Sequence, residues 1–148
     1  MSSAELDNLV KSGLLKSEPG DQKEFDGLLD SGRKRLTDAK NKNLTAESRF
    51  DLAYSAAHAF SLAAMRWHGY RPAKKRYIVF QALSHTLGIK PEIWRILDKC
   101  HGIRNSFEYD GSFNVDNQLL VDLIAATEVV GKAVEALGPV AQPKDKRK

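Results

Sequence analysis

Apolar residues recur every three or four positions in six stretches of this chain, and glycine or proline stands between most of them, a pattern that commits the backbone to successive amphipathic helices. Ser2 and Glu5 form a capping-box pattern ahead of Leu6, Leu9 and Val10, and Gly13 ends that helix. Asp21 and Glu24 repeat the signal before Phe25, Leu28, Leu29 and Leu36, predicting a second helix to about Lys42. Thr45 caps a third, whose stripe of Phe50, Ala53, Tyr54, Ala57, Ser61, Ala64, Met65 and His68 closes at Gly69; its alanines predict close helix contact. Pro72 opens a fourth helix expected over Ala73 to Leu87, and Pro91 a fifth that reaches about Tyr109. Asn114 caps a last helix that ends before Gly138 and Pro139. With short links and no alternating strand pattern, the expected architecture is all-α, an antiparallel bundle of four to six helices.

The chain has 148 residues, 42% of them hydrophobic, enough for one packed core; the expectation is a single domain over residues 1–138 and a basic, disordered tail over 139–148. No N-terminal apolar region follows a basic start, and no stretch approaches the length of a bilayer span, so a soluble cytoplasmic protein without membrane contact is expected. Cys100 stands alone, which excludes an internal disulfide and a cysteine-rich zinc site. His58 and His85 have no acidic neighbours at ligand spacing and there is no glycine-rich phosphate loop, so neither a metal nor a cofactor is expected. The net charge of +4 invites a nucleic-acid reading, but Lys144, Asp145, Lys146, Arg147 and Lys148 supply four positive charges and one negative, leaving the body at +1.

The most informative residue is Arg104. Walking the fifth helix through Ile93, Leu97, Cys100, Arg104 and Phe107 puts a guanidinium at the edge of the packing stripe, where it needs a carboxylate, a carbonyl array, a second subunit or an anionic ligand. A structural ion pair with Glu108, one turn on, or with a carboxylate of another helix satisfies that need as well as a ligand does. His101, Arg104 and Glu108 share one face of this helix, and Asn105 and Tyr109 the adjoining one. Such a group can bind phosphate and move protons, with arginine neutralising charge, histidine titrating near neutrality and asparagine fixing orientation. Arg71, Lys74, Lys75 and Arg76, at the start of the expected fourth helix, form a second candidate for binding RNA phosphates or an acidic partner. Trp67 and Trp94 lie in amphipathic helices, where aromatic residues anchor packing or a dimer contact more often than they stack on bases.

The segment Leu97 to Gly111, LDKCHGIRNSFEYDG, resembles the signature helix end of HEPN proteins, and the run Asp51 to His58 followed by Gly69-Tyr70-Arg71 is similar to the middle helix of small bacterial members. The resemblance spans most of residues 3 to 137. It implies a four- to five-helix bundle that dimerises, with an arginine and a histidine four to six residues later forming a composite, metal-independent ribonuclease site. Arg104 matches that arginine and Asn105 the polar residue that often follows it, while Tyr109 stands where the family motif carries histidine. A phenol, with an ordinary pKa near 10, is a poor substitute for an imidazole at neutral pH, and His101, one turn before Arg104, is the candidate to replace it. The resemblance therefore implies a protein that binds or cleaves RNA, as the toxin half of a toxin–antitoxin pair, with Arg104 and Asn105 at a homodimer interface. Its alternative is a non-catalytic module that partners a nucleotidyltransferase or an antitoxin.

Overall fold

The computed structural model describes residues 3–110 and 115–141, and for Ser3 and residues 107–110 it describes the backbone. The elements run α1 (Ser3–Lys11), β1 (Leu15–Ser17), α2 (Gln22–Ala39), α3 (Ala46–Trp67), β2 (Tyr70–Pro72), α4 (Ile78–Gln81), α5 (Leu83–Thr86), α6 (Pro91–Asp110) and α7 (Asn117–Glu135). The protein is mostly helical, and among the described residues no helix is long and apolar enough to cross a membrane.

Cap chemistry sets the starts of the two long central helices. Asp21 Oδ2 accepts from the Glu24 amide at 2.8 Å, and Thr45 Oγ1 accepts from the Ser48 amide at 3.1 Å, each filling one of the donors that a helix start leaves open. At its other end α2 stops at Ala39, short of the expected Lys42. There Asn41 Oδ1 takes the Asn43 amide at 3.0 Å to make a turn, and Arg49 Nε donates to the Ala39 carbonyl at 2.8 Å. The expected cap Asn114 lies outside the described residues, and Asp116 holds the N-cap position of α7.

α3 is the axis of the molecule, in contact with α2, α4, α5, α6, α7 and β2. Its buried alanines at 53, 56, 57, 63 and 64 let neighbouring backbones approach closely. Phe60 fills the space between three helices: a Cβ built on Gly32 of α2 would lie 2.4 Å from its ring, and one on Gly131 of α7 would lie 2.8 Å from it.

Two expectations are corrected. The single helix over Ala73 to Leu87 does not form, and a strand pair that no local pattern signalled stands beside it. Tyr70–Pro72 pairs antiparallel with Leu15–Ser17 in the register Leu15↔Pro72, Lys16↔Arg71, Ser17↔Tyr70. The pairing extends through Glu18 N to Gly69 O at 2.9 Å and Ala73 N to Leu14 O at 3.0 Å, so these non-local bonds take up the residue where the expected fourth helix would begin. Only the single turns α4 and α5 remain helical, burying Ile78, Val79, Phe80 and Leu83. At the C-terminal end Val140, expected in the tail, is buried in the core, and its amide donates to Gln22 Oε1 at 2.7 Å. Residues 142–148, with the basic run, lie outside the described residues.

Candidate anion-binding site

A cavity of about 480 Å³ opens where α2, α3 and α6 meet the segment that leads into α4. α2 contributes Ser31 and Arg35, α3 contributes Tyr54, Ser55 and His58, α6 contributes His101, Arg104 and Asn105, and Arg76 comes from the turn ahead of α4. Leu28, Ala59 and Leu62 supply an apolar side. Among the described residues no carboxylate lines it, so three permanent guanidinium charges and two imidazoles face one space. A larger cavity of about 620 Å³ between α1, α5 and α7 is lined by one carboxylate, Glu5, and one imidazole, His85, and gathers no comparable charge.

Packing holds the polar side chains of α6 in place. The Tyr54 hydroxyl and His101 Nδ1 are 2.8 Å apart, and the His101 ring stacks on Tyr77 with centroids separated by 4.6 Å. Arg104 lies over the Tyr54 ring at 5.2 Å and donates from Nε to Asp51 Oδ1 at 2.8 Å. Asp51 is a carboxylate of another helix, one of the two ion-pair arrangements the sequence left open; the other, Glu108, lies outside the described side chains. The Arg104 side chain is 33% exposed and that of Asp51 57%, so the pair is partly open to solvent at the cavity that Arg104 lines. Arg35 is held by Ser31, and Arg76 is exposed.

His58 differs from its neighbours. Its Nε2 is buried and finds no hydrogen-bond partner among the described residues, while its ring meets Phe80 edge to face at 6.0 Å. Burial, reinforced by the charge of Arg76, pushes its pKa down to about 4, so the ring is neutral at pH 7.

The four basic residues of the second candidate do not act together. Arg71 lies in the middle of β2 and Lys74, Lys75 and Arg76 in the connection to α4, in place of a helix start, and only Arg76 reaches the cavity. Arg71 turns the other way, donating from Nε and Nη2 to Glu18 Oε2 at 3.1 and 2.8 Å and from Nη2 to Glu24 Oε2 at 3.0 Å. Its hydrogen bond holds the Glu18 carboxyl below the usual range. Lys74 and Lys75 are exposed, the latter 5.8 Å from the centre of the Tyr77 ring.

The same two glutamates complete the shell of Arg66, a fully buried cation that the sequence pattern did not single out. It donates to Glu24 Oε1 at 2.9 Å and to the carbonyls of Glu18, Pro19 and Tyr70 at 2.9, 2.8 and 3.3 Å, stitching the end of α3 to both strands. Glu108 and Tyr109 lie outside the described side chains. Cys100 is buried and its thiol is pushed up to about 12 by that burial, which leaves no thiolate for nucleophilic work at neutral pH. Trp67 packs against the core and donates to the Gly138 carbonyl at 3.1 Å; Trp94 also packs there, with Arg95 over its ring at 5.7 Å.

Arg104, His101, Asn105 and Arg76 were named from sequence and are brought together. Arg35, Ser31, Tyr54, Ser55 and His58 were not recognised as site residues. The available signal was on α3, where Tyr54 and His58 put polar groups one turn apart on a helix otherwise filled with buried alanine. Comparison with protein-family profiles, with curated proteins and with solved structures gives no significant match.

Proposed function

We propose that this chain is a HEPN-like RNA-binding protein that seats a phosphodiester in the cavity between α2, α3 and α6. The observation that supports this reading is the convergence of Arg35, Arg76 and Arg104 with His58 and His101 around one space that no described carboxylate lines. The guanidiniums neutralise the phosphate, Asn105 fixes its orientation, and the apolar side receives the sugar or base. In the cleaving version of the reading, His101, oriented by Tyr54, takes the proton of a ribose 2′-hydroxyl. The 2′-oxygen then bonds to phosphorus, the bond from phosphorus to the 5′-oxygen breaks, and that oxygen leaves with a proton from solvent. The products are a 2′,3′-cyclic phosphate and a 5′-hydroxyl, and no metal takes part. The resemblance to HEPN toxins extends this to a dimer acting within a toxin–antitoxin pair.

The test is retention and cleavage of total RNA by the purified protein in EDTA, comparing the parent with Arg104→Ala and His101→Gln at matched folding. Arg104→Ala is expected to weaken RNA binding about tenfold or more while shifting stability by no more than about 1 kcal/mol, because its ion pair is partly exposed to solvent. A parent that retains no RNA at about 100 mM salt would sink the proposal. Tyr109, standing in place of the motif histidine, favours a second reading, a non-catalytic module for a nucleotidyltransferase or antitoxin. Retained RNA without cleavage, together with co-purification of a neighbouring gene product, would select it.

A further inference from the structure

We infer that His58 makes the cavity selective for a phosphate ester with a hydroxyl group beside it, as a ribose 2′-hydroxyl stands beside a 3′-phosphate. The inference rests on the reading of the cavity as a phosphate site and adds the feature that tells RNA from DNA there. A buried polar atom without a partner is costly, and His58 Nε2 is such an atom in the wall of a cavity whose other polar groups are suited to an anion.

The choice of ligand group follows from the charge state of the ring. Arg76 approaches from the turn before α4, His101 and Arg104 from α6, and Phe80 packs against the ring from α4; burial first, then the charge of Arg76, lower the pKa to about 4 against a backbone hydrogen bond at Arg76, so the imidazole is neutral. A neutral ring has one nitrogen with a proton and one with a lone pair. A phosphate oxygen only accepts, so it meets Nε2 in one tautomer and is repelled in the other. A hydroxyl donates and accepts, and satisfies Nε2 in both; where its one proton goes to His101, as in the cleaving version, its oxygen accepts from Nε2–H. The guanidiniums are arranged to take the charge, which leaves the imidazole for the neighbouring neutral group.

Access requires one rearrangement. Nε2 is closed to solvent, and Arg35 and Arg76 are long, exposed members of the cavity wall. Binding as inferred therefore includes a shift of the cavity wall, with the guanidiniums of Arg35 and Arg76 drawn onto the phosphate.

The experiment is calorimetric titration, in EDTA at pH 7.5, with adenosine 3′-monophosphate and its 2′-deoxy counterpart, neither of which has a bond for the protein to cleave. Inorganic phosphate serves as the baseline. The parent is expected to bind the ribonucleotide about tenfold or more tighter than the deoxynucleotide, the gap between a satisfied and an unsatisfied buried group. His58→Leu is expected to bring the two affinities together at the deoxy value, and Arg104→Ala to weaken both alike. The imidazole nitrogen resonances of the parent provide a check that needs no variant: His58 Nε2 is expected to shift with the ribonucleotide and not with the deoxynucleotide. Equal affinities in the parent, or a ribose preference that persists in His58→Leu, overturn the role of His58 and leave the phosphate site standing. Failure of both nucleotides to bind overturns the phosphate site together with the inference.

Discussion

His58 couples the stability of the fold to pH. In the unfolded chain its imidazole titrates near 6.5, and in the folded protein burial, then Arg76, lower that to about 4. Between these values the unfolded state holds more protons than the folded one, so stability falls as pH drops from about 6.5 towards 4 and levels off below. The contribution from this residue amounts to on the order of 3 kcal/mol at most. Denaturation midpoints at pH 7, 5.5 and 4.5 should show that slope in the parent and a shallower one in His58→Leu. Sulfate stays fully charged across the range and would favour the protonated ring if it seats among the guanidiniums, so it should flatten the slope in the parent and leave the variant unchanged. Local pattern could not supply this residue, because its environment is made by Arg76 and Arg104, which lie 18 and 46 positions further along the chain. Arg104 was legible for the opposite reason, since a guanidinium at the edge of its own helix's apolar stripe is visible without knowing what faces it.

The helices make a prediction in which two glycines of one element behave oppositely. On α2, a Cβ at Gly27 would meet nothing within 4 Å, whereas a Cβ at Gly32 would collide with the fully buried Phe60 ring at 2.4 Å. Gly27→Ala should therefore stabilise the protein by up to about 1 kcal/mol through helix propensity alone. Gly32→Ala should destabilise it by about 1–3 kcal/mol, because a rigid ring held between α2, α3 and α7 has nowhere to move. Urea denaturation of the two variants decides the matter, and Gly32→Ala combined with Phe60→Leu should cost less than the two separate losses added together. The same three-helix packing explains which elements were legible. Where caps and apolar period agree, as at Asp21 and Thr45, the long helices stand where the pattern put them. Over residues 73–87 the period pointed to one helix, but the segment just before it pairs with residues 14–18, more than fifty positions away, through backbone bonds that no local window contains and that reach Ala73. Arg66 and Arg71, sharing Glu18 and Glu24, reinforce that pairing from inside, so the basic cluster read from sequence is divided between a structural network and the cavity.

At the scale of the whole molecule the question is which of two cationic regions carries nucleic-acid affinity: the cavity, or the run from Lys144 to Lys148, which holds most of the net charge of +4. Salt dependence separates them, because each phosphate neutralised on a single strand steepens the plot of log K against log salt by about 0.7. A cavity that seats one or two phosphates gives a shallow slope of about −1, and four tail cations on a longer strand would add up to about −3. Removing residues 144–148 should therefore flatten the slope for a long RNA while leaving its Arg104-dependent part intact, and should leave binding of a 3′-mononucleotide unchanged. Anisotropy titrations from about 50 to 300 mM salt, with the full chain, the truncated chain and Arg104→Ala in each background, measure both quantities. If truncation abolishes binding and Arg104→Ala in the full chain has no effect, affinity lies in the tail, and the cavity between α2, α3 and α6 loses its claim to the RNA.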